Sequence, residues 1–281
     1  MAQAARSRTG SIAWGPALPA LLFLVALFVA PLIDNGLRSI APPAGAPWYA
    51  YYARLVSDPF YLSSLVETVG LSVLVTALCL VAGYPVAYYL TRYAGRWRSL
   101  IVFLLISPLL TSIIMRTFGW RAIFARRGLL NTFLLDAGLV DRPIDLLGSP
   151  LSAVVGLVHV LIPFMVLSIA AVLEKLDPRI EEAAHVLGAS RTQAFVRVIL
   201  PLSLDGVASG TILVFMLAMG SFVTLLFLGG GSLKTFPLLI YQQFNTTRDF
   251  GMAAAMSNVL MTIAVALMFV QLRLIRRTGV S

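Results

Sequence analysis

The sequence predicts an all-α polytopic membrane protein, and three observations carry that prediction. Of the 281 residues 59% are hydrophobic, only 12% are charged, and six separated apolar stretches are each long enough to cross a bilayer. Soluble chains carry roughly 25% charged residues. A helix satisfies its own backbone hydrogen bonds in hydrocarbon, and about 20 apolar residues rising about 1.5 Å each cross a core of about 30 Å. The stretches run approximately over residues 16–33, 63–90, 100–117, 151–173, 202–228 and 251–274. The third is the shortest, because Arg116 interrupts its apolar run near one end.

Charge sets the expected topology. The net charge of +9 would point to nucleic acid in a soluble chain, but here the basic residues flank apolar runs and no nucleic-acid partner is expected. With the N-terminus in the cytoplasm, Arg6, Arg8, Arg92, Arg96, Arg98, Lys175, Arg179, Arg191, Arg197, Arg273, Arg276 and Arg277 lie inside. The outer segments then hold fewer basic residues, and the dense cluster at Arg92, Arg96 and Arg98 in a very short loop sets both termini inside. The run over 16–33, preceded by Arg6 and Arg8, is longer than a signal-peptide core and lacks a small-x-small cleavage site directly after it, so it reads as a retained first span. The expected organisation is a cytoplasmic tail over 1–15 and one transmembrane domain over 16–281. Cys79, the single cysteine, excludes an intrachain disulfide and a cysteine-based metal site. Trp48, Tyr49, Tyr51 and Tyr52 are expected at an interfacial belt.

The loop between the fourth and fifth spans, about residues 174–201, carries the most information. Asp177 followed by Pro178 starts a helix, with an acceptor at the N-cap and a ring where no donor is needed. Ile180, Ala183, Ala184 and Leu187 fall on one face, and Gly188 permits a left-handed C-cap. Ser190 and Gln193 fit a capping box that opens a second helix, in which Phe195, Val198, Ile199 and Leu202 share a face. A short amphipathic helix hinged by glycine to a helix entering the membrane is a lever offered to a cytoplasmic partner; a loop helix resting on the bilayer surface has the same pattern.

That loop resembles the EAA loop of ABC importer permeases: Glu182, Ala183, Ala184 and Gly188 match in register, Leu200 and Pro201 match further on, and Val198 stands where Ile is usual. Residues 78–90, 107–131, 156–169 and 218–231 look like the spermidine/putrescine-type permeases in particular, so the resemblance extends from about Tyr61 to the C-terminus. It implies a permease subunit of the bacterial inner membrane whose coupling helix docks on a separate ATP-binding subunit, through Glu181, Glu182, Ala183, Ala184, Gly188, Leu200 and Pro201. It also implies a second permease, an extracytoplasmic substrate-binding protein, and ATP with Mg held by the ATPase rather than by this chain. Some polyamine members carry an acid in the fifth span shortly before a Gly-Gly; here Thr224, Leu225, Leu226, Phe227 and Leu228 supply none, which leaves the substrate open.

Candidate path residues are few. Glu67 is the one glutamate inside an apolar run, and Met219, Ser221 and Thr224, with Met216 and Gly220, offer small and polar groups to a central path. Each has a plainer reading, Glu67 as an interface-level carboxylate and the others as ordinary packing. Arg116 is expected to snorkel to the headgroups, Asp205 to pair with a nearby arginine, His159 to be a hydrogen-bonded interior histidine and His185 to sit on the lever's solvated or docking face. No phosphate-binding loop, metal cluster or nucleophile motif is present in the sequence, so no enzyme activity is expected of this chain. Two rivals stay open at this point: an ion-gradient-driven secondary transporter, motivated by Glu67 and Asp205, and a non-transport membrane assembly subunit.

Overall fold

Capping chemistry marks out the helices in the order the chain lays them down. The computed structural model describes residues 14–43 and 45–278, the side chains of 14–17, 20–21 and 274–278 excepted. Helix α1 (Trp14–Ser39) is followed by the short α2 (Ala50–Ser57) and the long α3 (Pro59–Arg92). Asp58 caps α3 by accepting from the Phe60 amide at 2.9 Å, with Pro59 at the first helical position. After a 3-10 turn at Gly95–Trp97 come α4 (Arg98–Leu110), α5 (Ile113–Phe124) and α6 (Leu129–Asp136). Ser149 and Pro150 open α7 (Pro150–Leu173) in the same way as Asp58 and Pro59 open α3.

The lever contains α8 (Arg179–Val186) and α9 (Arg191–Ala194), a π-turn at Phe195–Ile199 and α10 (Leu200–Leu202). Then follow α11 (Leu204–Met219), α12 (Val223–Leu228), α13 (Phe236–Gln242), a π-turn at Gln243–Thr247 and α14 (Phe250–Thr278). Among the described residues no strand forms. Four helices are long and apolar enough to cross a membrane, and counting each of two bent pairs as a span raises the number to six.

The bends correct two of the expected spans, and α1 corrects the boundary of the tail. The span expected over 100–117 breaks at Thr111 and Ser112, where the chain turns by 100°. The span expected over 202–228 starts after a 64° bend at Ser203 and is interrupted between Met219 and Val223. Trp14 and Gly15, assigned to the tail, already belong to α1; the rest of that tail, with Arg6 and Arg8, and the Arg276 and Arg277 side chains lie outside the described residues. Two helices, α5 and α6, occupy the segment read as an outer loop.

A helix broken inside hydrocarbon leaves carbonyls that need partners. Arg116 supplies one: rather than snorkelling, its guanidinium folds back onto the Pro108 carbonyl at the end of α4. Arg121 does the same for α12, donating to the Phe227 carbonyl at 3.2 Å, while Ser152 Oγ and the Gly148 amide reach the Leu228 carbonyl at 2.8 and 3.0 Å. A cation at a helix C-terminus also meets the negative end of its dipole.

The core is where α3, α7 and α11 converge, with Val75, Cys79 and Ala87 of α3, Leu157, Met165 and Ile169 of α7, and Val214 of α11 all buried. Lipid is as apolar as leucine, so close packing rather than water exclusion holds spans together. Gly206 and Gly210, four residues apart on α11, meet α7 directly. A Cβ added at Gly206 would come within 3.0 Å of Ile169 Cα and Val172 Cβ, and one at Gly210 within 2.8 Å of Met165 Sδ. On α3 the buried hydroxyls of Ser64, Thr68, Ser72 and Thr76 each donate to the carbonyl four residues back, which satisfies them without a second helix.

Gly206→Val is expected to separate α11 from α7 and lower the thermal midpoint of the detergent-purified protein, at a cost of about 1–3 kcal/mol for overpacking. Gly70→Val, on α3 with nothing within 4 Å of the added carbon, is the control and is expected to leave the midpoint near wild type.

Candidate functional site

The lever is pinned from behind and bare in front. Glu181 turns toward the end of α3, where the Tyr88 hydroxyl donates to its Oε1 at 2.5 Å and Arg92 Nε lies 3.7 Å from its Oε2. These are sheltered groups, with side-chain exposures of 9% for Arg92 and 17% for Glu181. Arg92 also donates through both terminal nitrogens to the Leu176 carbonyl at 3.2 and 3.3 Å, and Arg98 pairs with Glu174. The rings of Tyr88 and Tyr84 pack edge-on against Phe195, each 5.4 Å between centroids, and so join the second arm of the lever to α3. Between these parts lies an open cleft of ≈ 600 Å³.

The lever's own geometry follows its sequence. Asp177 Oδ1 accepts from the Arg179 amide at 2.9 Å, although the helix itself begins one residue later than expected. Gly188 has φ +88°, and the bonds from the Gly188 amide to the His185 carbonyl and from the Ala189 amide to the Ala184 carbonyl close a Schellman turn. Ser190 and Gln193 form the capping box in both directions. The second arm departs from expectation, because Phe195–Ile199 widens into a π-turn before Pro201 instead of continuing as α-helix.

The face predicted from Ile180, Ala183, Ala184 and Leu187 does not bury itself on this chain. Ala184 is half-buried, whereas Ile180 and Ala183 are exposed, and the adjacent Val186 and Leu187 are 88% and 87% exposed. Glu182 is exposed beside them, and His185 is exposed with its Nδ1 2.9 Å from the Ala189 carbonyl. Leu200 and Pro201 sit at the joint between lever and bundle, where Ser203 Oγ and the Tyr84 hydroxyl share a hydrogen bond of 2.7 Å.

A groove runs along α11 and α14. Three adjoining hollows of ≈ 580, 230 and 510 Å³ share Ile240 and Ser257, then Met216. The end away from the lever carries Asp34 and Arg38, paired at 2.7 Å, and a Phe222–Tyr241 stack with centroids 5.2 Å apart. The middle is lined by Met216, Met219, Gly220 and Met261, and the lever end by Asp205, Ser209 and Leu272. Of the path candidates, Met216, Met219 and Gly220 line this groove. Ser221 stands next to it and donates to the Leu217 carbonyl. Thr224 is buried and faces α7, its methyl 3.0 Å from where a Cβ on Gly156 would lie. Glu67 does not line the groove: its carboxylate accepts from the Lys234 amide at 3.1 Å, and with Thr68, which accepts from the Phe236 amide at 2.8 Å, it anchors the entry to α13. His159 accepts from Trp120 Nε1 at 3.2 Å, as an interior histidine should.

Sequence reasoning missed Tyr88 as a lever contact and Ile240, Ser257 and Met261 as groove lining. Tyr88 and Glu181 are 93 residues apart, and no local spacing links them.

An open groove needs a second wall, and a bared helix needs something to meet, so fold and site together describe a membrane transport subunit that works in an assembly. Residues 15–280 match the family described as the binding-protein-dependent transport system inner membrane component, and the chain belongs to that family. It is 39% identical over 217 residues to the spermidine/putrescine transport system permease protein PotB of Salmonella typhimurium, covering 77% of this chain and 75% of that protein. Its fold is similar to a bacterial ABC transporter involved in import of the acidic polysaccharide alginate, with TM-score 0.81, 17% identity and 94% of each chain covered. A bacterial alginate transporter bound to an alginate pentasaccharide-loaded periplasmic protein also matches, with TM-score 0.77, 16% identity and 95% and 96% of the two chains covered. The chain is therefore a multi-pass inner-membrane transport component.

Glu181→Ala leaves the Tyr88 hydroxyl and the Arg92 guanidinium without their carboxylate and is expected to cost about 2 kcal/mol, read as a lower thermal midpoint in detergent. Glu182→Ala removes an exposed group and is expected to change stability by less than about 0.5 kcal/mol.

Proposed function

We propose that this chain forms half of the translocation path of an ATP-driven importer and that the lever is its coupling helix. The observation that carries the reading is the lever's two-sidedness: Glu181 holds it to α3, Glu182 stands exposed at the cleft beside it, and Ala183, Val186 and Leu187 stand free on the other side. Apolar side chains exposed to that degree on a rigidly capped helix suit a groove on a partner. A separate ATP-binding subunit, carrying the ATP and Mg, grips that face; the lever end, and with it both termini, then lies in the cytoplasm. Gly188 keeps the hinge between α8 and α9, and Leu200 and Pro201 pass movement into α11.

Two further partners complete the assembly. The groove along α11 and α14 is open on one side, and α1, which packs mainly on α14, leaves Leu22, Phe23, Leu24 and Phe28 59–71% exposed. A second permease supplies the missing wall. An extracytoplasmic binding protein delivers substrate to the opposite end, as a periplasmic protein is bound in one of the alginate transporter structures.

The proposed cargo is a polyamine or a related small polar solute. The PotB relative supports this by its identity over most of both chains, and four aromatic rings, Phe222, Tyr241, Phe244 and Phe250, line the groove's outer hollow, where faces of this kind attract organic cations. The fold adds nothing to the choice, since a similar one serves an acidic polysaccharide.

The reading is tested by reconstituting the assembly and measuring retained ATPase and ATP-dependent spermidine uptake. Gly188→Val, strained at φ +88°, and Glu182→Lys are each expected to lower both at least about tenfold, the equivalent of about 1.4 kcal/mol at the docking face. Normal values of both quantities in both variants would refute the lever assignment.

A further inference from the structure

The two faces of α11 have different work. Gly206 and Gly210 press against α7, and the face turned from them presents Asp205, Ser209, Ile212 and Met216 to the groove, at the three- and four-residue steps of one helical stripe. Asp205 is exposed, and among the described residues it takes part in no ion pair and no side-chain hydrogen bond. Among the described residues no arginine pairs with it, and the Arg276 and Arg277 side chains lie outside those residues.

The charge balance along the groove makes that carboxylate unusual. Lys and Arg enter the lining of the three hollows once, as Arg38 at the far end, and Arg38 is held by Asp34. Among the described residues Asp205 is thus the one charge on the groove wall without an ion-pair partner, and it is negative. Between the two ends the wall is methionine, alanine, glycine, serine and aliphatic side chains, a stretch that compensates no charge. A cation leaving that stretch toward the lever end meets an acceptor at Asp205.

Asp205 also stands where lever movement is felt. It is in the first turn after the 64° bend at Ser203, two residues beyond the hydroxyl that bonds Tyr84 and four beyond Pro201. Any change in the bend moves the lever relative to the start of α11, which carries the carboxylate.

We propose that Asp205 is a specificity-determining residue of the path: its carboxylate selects cationic cargo and receives the ammonium group at the lever end. The proposal rests on the reading of the groove as the translocation path. A carboxylate in the first turn of a helix is also stabilised by the helix dipole, so the test must separate charge toward cargo from a local structural role.

The experiment compares wild type, Asp205→Asn and Asp205→Glu in proteoliposomes holding the full assembly with its binding protein and ATP, with radiolabelled spermidine and putrescine as probes. Thermal midpoint and the amount of retained ATPase are measured on the same preparations. The expected result is that Asp205→Asn lowers kcat for uptake about tenfold or more, that Asp205→Glu restores most of it, and that raising salt slows wild type more than Asp205→Asn. Wild-type uptake matched by Asp205→Asn, or an equal loss in the Asn and Glu variants, overturns the role of Asp205 and leaves the importer reading standing. Failure of wild type to import either amine with a functional binding protein and active ATPase overturns the cation reading itself, and the role of Asp205 with it.

Discussion

A peptide carbonyl away from water has nothing to turn to but the protein, and the ends of α4 and α12 each leave such carbonyls. The packing around them depends on how those helix ends are satisfied. Arg116 closes the end of α4 through the Pro108 carbonyl, and Arg121, Ser152 and the Gly148 amide close the end of α12 through Phe227 and Leu228. With those partners in place α5 and α12 pack on one another, and the Phe118 and Phe227 rings stand 5.5 Å apart between them. Arginine suits the task because its guanidinium stays charged and offers several donors in a fixed plane.

Helix α7 is the hub around which these pieces are arranged. Glycines approach it from α11, hydrophobic side chains from α3 and α12, and of its two leading serines Ser149 caps its first turn while Ser152 donates to the end of α12. Spans held by such close approach form a stiff body, because packed interiors deform little and the hydrocarbon around them adds no directional force. In the proposed coupling, that stiffness would give the lever something to act upon. A helix pinned by Glu181, Tyr88 and Arg92 moves together with the end of α3, while the bend at Ser203 connects it to α11 and the groove.

The interior of the groove is apolar and methionine-rich, with charge confined to its ends. In the proposed path a flexible thioether surface would adapt to cargo of varied shape, leaving discrimination to the few polar and aromatic groups at the two mouths. The paired Asp34 and Arg38 and the stacked Phe222 and Tyr241 occupy one mouth, and Asp205 the other.

The membrane class, the approximate positions of the apolar helices and the capping of the lever were legible in the sequence, because they depend on local quantities: apolar length, capping residues, and a glycine where φ must be positive. The capping box of Ser190 and Gln193 and the Schellman turn at Gly188 stand where they were read. Only the tertiary structure decided which way Glu181 points, that Glu67 anchors a loop, that Thr224 faces α7, and that Met219 reaches the groove. Each of those answers depends on which distant helix arrives opposite a side chain, as Tyr88 does for Glu181 and Lys234 for Glu67. The break in the third span was hidden for the same reason: an apolar run looks continuous until an arginine on the neighbouring turn, Arg116, takes its carbonyl.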